Sequence, residues 1–254
     1  MYQFEREEKI MQKLFTFGQI KVREESKYLG ISLPTLHRDL IKLEKQGLIE
    51  RVRGGAILSK SSKLRTRFDI RMKTNVEEKK EIALKAAKTI EDETSIFLDH
   101  SSTIVFLALE LKLRHFRNLI ILTNSLVIPN ELAGKDGVQI ILTGGVVESE
   151  YKALSGRWVI ESLKNLHLNK IFVSVGAISL EHGLMSQTHF ICELMREILN
   201  FPPPINILAD SSKFLKTGAF HIAPLTPSLQ IFTDKGISRT LQNEIRQRGL
   251  ELII

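Results

Sequence analysis

After Val76, six short apolar runs alternate with segments of helical period, and that order admits few folds. SIFLD (95–99), LIILT (119–123), VQIIL (138–142), KIFVSV (170–175), INILA (205–209) and LQIFT (229–233) read as strands. Residues 103–113, 126–134, 157–166, 190–199 and 238–248 between or after them read as helices. Ahead of the first strand, EEKKEIALKAAKTI (77–90) is a helix that turns Ile82, Ala83, Ala86, Ala87 and Ile90 toward a core. Strands alternating with helices predict an α/β domain on a mainly parallel sheet. In such sheets ligands sit beyond the carboxyl ends of the strands.

The polar residues gather at those ends. Asp99-His100-Ser101-Ser102-Thr103 follows the first run, Thr123-Asn124-Ser125 the second and Thr143-Gly144-Gly145 the third. Gly176 follows the fourth and Asp210-Ser211-Ser212-Lys213 the fifth. Hydroxyls and glycine N–H groups at a strand-to-helix turn form an anion site, because free N–H groups and the helix dipole both favour negative charge. Each motif alone is equally an ordinary cap or turn. Asp210 would then cap its own turn, and Lys213 would be a solvated cation. Five such ends on one sheet point to a ligand cleft; whether a phosphate fills it stays open at this stage.

The first third of the chain has another character. Residues 3–17 fit a helix, Gln19 to Val22 a short strand, and 22–29 a second helix closed by Gly30. Ser32 is a good N-cap for a third helix, in which Leu33, Leu36, Leu40 and Leu43 form one apolar stripe. The opposite side carries Pro34, Arg38, Ile41 and Lys45, flanked by Thr35, His37 and Lys42. A helix so divided packs on one side and enters a major groove with the other. Gly47 ends it, Leu48 to Val52 alternate as a strand, and Arg53-Gly54-Gly55 makes a tight turn suited to a phosphate backbone. Together these elements predict a winged helix-turn-helix. Its DNA contacts are expected from Ser32, Pro34, Thr35, His37, Arg38, Lys42, Lys45, Arg51, Arg53 and Gly54.

Charge supports this reading. Residues 1–73 hold 17 Lys and Arg against 9 Asp and Glu, whereas residues 74–254 hold 19 against 20. The whole formal excess of +7 thus lies in the first third, as phosphate binding requires. The basic segment 59–73 (SKSSKLRTRFDIRMK) has no apolar period and reads as a linker. The expected division is therefore a DNA-binding domain over 1–58, a linker over 59–73 and a ligand-binding and oligomerisation domain over 74–254. The single cysteine, Cys192, excludes an internal disulfide and a cysteine-based zinc site, and reads as a small core residue. No cofactor, metal site or catalytic residue is expected. The charged start and the lack of a membrane-length apolar run predict a soluble cytoplasmic protein with no membrane partner.

Taken in order, both halves resemble the DeoR family of bacterial transcription regulators. In the first half the resemblance rests on Ile31-Ser32, Thr35, Arg38-Asp39-Leu40, Leu43, Gly47 and Arg53-Gly54-Gly55-Ala56. In the second it rests on Phe68-Asp69-Ile70-Arg71, Lys80, Ile82-Ala83, Ile96-Phe97-Leu98-Asp99, Ser102-Thr103, Thr123-Asn124-Ser125, Gly144-Gly145, Gly156, Gly183-Leu184, Leu208 through Phe214 and Thr233-Asp234. The resemblance implies an oligomeric repressor that leaves its operator, double-stranded DNA, when the second domain binds a phosphorylated sugar or related metabolite. It also implies an α/β fold similar to ribose-5-phosphate isomerase for that domain. Asp99, Ser101, Ser102, Thr103, Asn124, Gly144, Gly145, Asp210 and Lys213 would line the effector site. The chain departs from the family at His37, where a second arginine is common, and at Ser101, where glycine is preferred. It departs again at Glu148, near a position that is often basic, at Pro202-Pro203-Pro204, which lengthens a loop, and within 190–199, where a Lys-Arg pair is absent. Two other readings compete with this one. One is a sugar-phosphate isomerase with an appended DNA-binding domain, using Asp99, Asp210 and Lys213. The other is an architectural DNA binder whose second domain serves only for assembly.

Overall fold

A computed structural model describes residues 3–45, 47–59, 68–215 and 217–254. The chain divides into two compact units, Met1–Thr74 and Asn75–Ile254.

In the first unit, α1 (Gln3–Phe17), β1 (Gln19–Lys21), α2 (Val22–Leu29) and α3 (Leu33–Lys45) precede the hairpin of β2 (Ile49–Val52) and β3 (Gly55–Leu58). The strands form an antiparallel sheet in the order β1-β3-β2. Gly30 closes α2 in the left-handed region, φ 63°, and the N–H of Ile31 reaches back to the Ser26 carbonyl at 3.1 Å. Gly55 has a different reason to be glycine: a Cβ there would lie 2.1 Å from the Ile20 carbonyl oxygen, where β1 pairs with β3. Ile10, Leu14, Leu36, Leu40, Leu43 and Ile49 make the core. Leu33 does not join it. Placed at the first position of α3, it is 41% exposed, so the buried stripe starts one turn later than its spacing predicts. Residues 68–73, expected within the linker, are helical (α4) and bury Phe68; the six positions are too few to show a period in sequence. Residues 60–67 of that linker lie outside the described residues.

The second unit is built on a seven-stranded sheet in the order β15-β14-β12-β9-β4-β5-β6, parallel throughout. Its strands are β4 (Ser95–Leu98), β5 (Leu119–Thr123), β6 (Val138–Leu142), β9 (Lys170–Val173), β12 (Ile205–Leu208), β14 (Leu229–Phe232) and β15 (Glu251–Ile253). The six strands expected from the apolar runs are all present. Helices α5 (Val76–Ala87), α6 (Ser102–Lys112), α7 (Ile128–Leu132), α8 (Arg157–Lys164), α9 (His189–Ile198) and α10 (Arg239–Gln247) alternate with them. The helix expected over 126–134 narrows to the short α7, whose start is set by Pro129 in its first turn. Phe97, Phe172 and Phe232, from β4, β9 and β14, are fully buried. Cys192 is buried as expected, its thiol donating to the His221 carbonyl at 3.1 Å.

Two smaller sheets and β15 were not legible. The ribbon of β7 (Val146–Glu148) and β8 (Ala153–Ser155) follows β6, and β10 (Ala177–Ser179), β11 (Gly183–Ser186) and β13 (Phe220–Ala223) form an antiparallel sheet. At three or four residues each, these strands are too short for a period of two to stand out. Among the described residues no helix is long and apolar enough to cross a membrane.

Candidate nucleic-acid interface and ligand site

On α3 the structure arranges the expected contact residues in two ways. Ser32 caps the helix, its hydroxyl accepting from the Thr35 N–H at 3.3 Å and lying 2.8 Å from the Thr35 hydroxyl. Pro34, His37, Arg38, Lys42 and Lys45 are exposed on the outward side, whereas Leu36, Leu40 and Leu43 are buried. Asp39 is also buried and receives both Nε and Nη2 of Arg6 on α1, at 2.8 and 3.1 Å. Its hydrogen bond holds the Arg6 guanidinium above the ordinary arginine pKa. The fork pins α3 to α1 and was missed in sequence, because 33 residues separate the partners.

The cations do not stand alike. Lys42 is paired with Glu7 at 2.8 Å. Arg51 is turned onto Glu44, with its backbone N–H at 3.0 Å and its Nε at 2.7 Å from the carboxylate. These bonds, the backbone one first, lower the pKa of Glu44. Among the described residues no carboxylate pairs with Arg38, Lys45 or Arg53, and all three are exposed. Between α3 and the hairpin runs a groove of about 540 Å³, lined among others by Lys21, Arg23, Leu33, His37, Val52 and Gly54. Gly54 turns the hairpin tip at φ 80°. Lys21 and Arg23 were not singled out in sequence, since neither lies on the helix or the turn that carries the pattern.

In the second unit the parallel order of β12, β9, β4, β5 and β6 brings the expected effector residues to one end of the sheet. Most of the carboxylates there are already engaged. Asp99 accepts from the backbone N–H of Ser101 (2.7 Å) and of Ser174 (2.9 Å), tying the ends of β4 and β9 together. Asp210 Oδ1 accepts from Asn75 Nδ2 (3.0 Å), from the Ser212 N–H (3.1 Å) and from the Ser212 hydroxyl. Asp234, named in the resemblance but not among the expected effector residues, holds the N–H groups of Ser211 and Gly236 at 2.6 and 2.8 Å. Lys213 lies on the 3₁₀ turn Ser211–Leu215, its N–H bonded to the Asp210 carbonyl. Ser101 caps α6, accepting from Ile104 N at 3.4 Å, and Ser102 and Thr103 are buried in the first turn of that helix.

Beside this cap the chemistry is different. Asn124, fully buried, donates through Nδ2 to the Leu154 carbonyl at 2.9 Å, with His100 Nδ1 at 3.4 Å. Among the described residues its Oδ1 has no hydrogen-bond partner, and neither has the buried hydroxyl of Thr143. Thr143 joins the same turn region through its N–H to the Thr123 carbonyl, 2.9 Å away. Two orphaned polar atoms at neighbouring strand ends are costly, each by about 1–3 kcal/mol, unless a ligand or water completes them. Gly144 and Gly145 follow at once; a Cβ on Gly145 would lie 2.6 Å from the Ser155 carbonyl, so the ribbon β7–β8 closes against this turn only around glycine. Glu148, whose charge would oppose a phosphate, instead accepts from the Ser155 hydroxyl at 2.7 Å. A separate cavity of about 710 Å³ opens at the amino ends of β9 and β12, lined by residues of 163–169 and 201–204, and contains none of the expected effector residues.

A model of the DeoR C terminal sensor domain matches residues 74–235, and one of the DeoR-like helix-turn-helix domain matches residues 6–62. The chain is 34% identical to the HTH-type transcriptional regulator GolR of Listeria innocua, over 100% of this chain and 99% of that one. It is 33% identical to the HTH-type transcriptional repressor GlcR of Bacillus subtilis, over 100% and 97%. Among solved structures, ribose 5-phosphate isomerase A from Methanocaldococcus jannaschii superposes with a TM-score of 0.40 and 15% identity, over 56% of this chain and 55% of that one.

Proposed function

The chain belongs to the DeoR family of transcription regulators, and on that footing we propose that it is a repressor released from its operator by a phosphorylated sugar or related metabolite. It would act in the cytoplasm, as a homo-oligomer, on double-stranded DNA. Arg38 and Lys45 would face the major groove, Arg53 and Gly54 the backbone at the hairpin tip, and Lys21 and Arg23 the rim between them.

The effector reading is carried by the orphaned pair Asn124 Oδ1 and Thr143 Oγ1 beside the capped start of α6. A sugar hydroxyl would donate to Asn124 and exchange bonds with Thr143, while the first-turn N–H groups of α6 and the turn at Gly144-Gly145 would take the phosphate. Asp99 and Asp210 shape the cleft rather than do chemistry, since each holds the backbone of its own turn. A general base needs a carboxylate within reach of substrate, and the engagement of these two disfavours an isomerase reading. The test is fluorescence anisotropy on an operator fragment with a panel of sugar phosphates. Release by a phosphorylated sugar but not by its unphosphorylated form is expected. Equal operator affinity with and without every ligand would leave only DNA binding.

A further inference from the structure

The tip of α3 presents carbon where a reading helix meets base edges. Leu33 at its first position is 41% exposed, Pro34 after it is exposed, and Val52 on β2 is 45% exposed. Leu33 and Val52 both line the groove of about 540 Å³ between α3 and the hairpin. Leu33 is not part of the core cluster that Leu36, Leu40 and Leu43 complete. The polar groups at the same tip are already used. The Ser32 hydroxyl accepts from the Thr35 N–H at 3.3 Å and lies 2.8 Å from the Thr35 hydroxyl. The first turn of α3 has no acidic residue, whereas α2 carries Glu24 and Glu25 there and α5 carries Glu77 and Glu78. Lys21 and Arg23 also line the groove, with Lys21 paired to Glu24 at 3.1 Å.

We propose that Leu33, with Val52 as the opposite wall of the groove, reads the C5-methyl group of a thymine in double-stranded DNA. A reading helix turns its N-terminal residues toward base edges in the major groove. Those edges offer hydrogen-bond donors, hydrogen-bond acceptors and one apolar group, the thymine methyl. The exposed side chains at this tip, Leu33 and Pro34, can neither donate nor accept, so the methyl is the group they complement. Covering Leu33 with that methyl takes apolar surface of both partners out of water, and cytosine, which lacks the methyl, cannot do the same. The occupant is a nucleic acid rather than an apolar protein segment, because residues 1–73 hold 17 Lys and Arg against 9 Asp and Glu. The inference rests on the operator-binding reading and adds to it the chemistry of one base position. It assigns a specificity contact to a residue that helical spacing alone would send to the core.

The test starts from duplexes that the full chain selects out of a random-sequence pool. The tightest is remade with deoxyuridine in place of thymidine, one position at a time, which removes only the methyl. Fluorescence anisotropy then compares each pair of duplexes. At one or more positions the replacement should weaken wild-type binding about fourfold, roughly what burying one methyl-sized group is worth. Leu33→Ala should bind the thymidine duplex less tightly and should no longer distinguish it from the deoxyuridine duplex at that position. Leu33→Gln, which keeps a long side chain on the helix, should lose the distinction too and stands in if the alanine variant fails to fold. Arg53→Ala, at the hairpin tip, should weaken both duplexes alike and keep the fourfold ratio. Equal wild-type affinity for every deoxyuridine duplex, or a ratio retained in a folded Leu33 variant, would overturn the proposal. A pool in which no sequence is enriched would remove the operator reading itself, and this inference with it.

Discussion

On α3 the outward and inward faces meet between adjacent residues: Arg38 is exposed, and Asp39 beside it is buried in a fork with Arg6. The fork fixes the helix on α1, and among the described residues no carboxylate pairs with the exposed Arg38 beside it. Arg38→Ala should cost about 1–3 kcal/mol of operator affinity if the contact is bidentate to guanine. Anisotropy at constant salt reads this, and unchanged affinity in a folded protein removes Arg38 from the reading surface. A second residue-scale test concerns Thr143, whose buried hydroxyl has no hydrogen-bond partner among the described residues. Thr143→Val keeps the shape and deletes the orphaned group, so the melting temperature should hold or rise slightly. The rise in melting temperature produced by a sugar phosphate should shrink or vanish. If the variant responds to ligand as wild type does, Thr143 is no ligand contact.

At the scale of elements, the hairpin β2–β3 is tied to α3 by Glu44, which receives the backbone and side chain of Arg51. These bonds lower the Glu44 pKa, so the stability they give is present above the unfolded-state carboxyl pKa of roughly 4.3 and is lost as pH falls through the lower folded value. Glu44→Gln should therefore lower the melting temperature of the DNA-binding unit near neutral pH, and the gap to wild type should close toward pH 3–4 (about one unit below the free carboxyl value). A gap independent of pH would mean that the ion pair contributes nothing there. The core elements were legible because their signals are periodic: Leu36, Leu40 and Leu43 repeat on one helical face, and each central strand of the large sheet is a continuous apolar run. What sequence reading missed lacks a period. Asp39 finds Arg6 across 33 residues, Asn75 finds Asp210 across 135, and β7, β8 and β10 are three residues long. The residues of the effector list gather at one end of the large sheet. The list did not foresee that both oxygens of Asp99 accept from backbone N–H groups and that Oδ1 of Asp210 accepts from Asn75 and Ser212, because no local pattern distinguishes a clamp from a ligand contact.

At the scale of the whole molecule, a basic unit that carries a reading helix is joined to an electrically balanced unit with buried, orphaned polar atoms at its strand ends. Such a pair of sites makes a regulator only if they are coupled, and coupling is reciprocal: a ligand that weakens operator binding must itself bind more weakly to the operator complex, by the same factor. The most direct test is therefore to measure operator affinity by anisotropy across a titration of whichever sugar phosphate raises the melting temperature most. Ligand affinity is then measured by calorimetry on the free protein and on its operator complex. The account predicts a loss of operator affinity of about 5–150-fold, the usual range of allosteric coupling, and an equal loss of ligand affinity in the complex. It is contradicted if the ligand binds the protein yet leaves operator affinity unchanged at saturation.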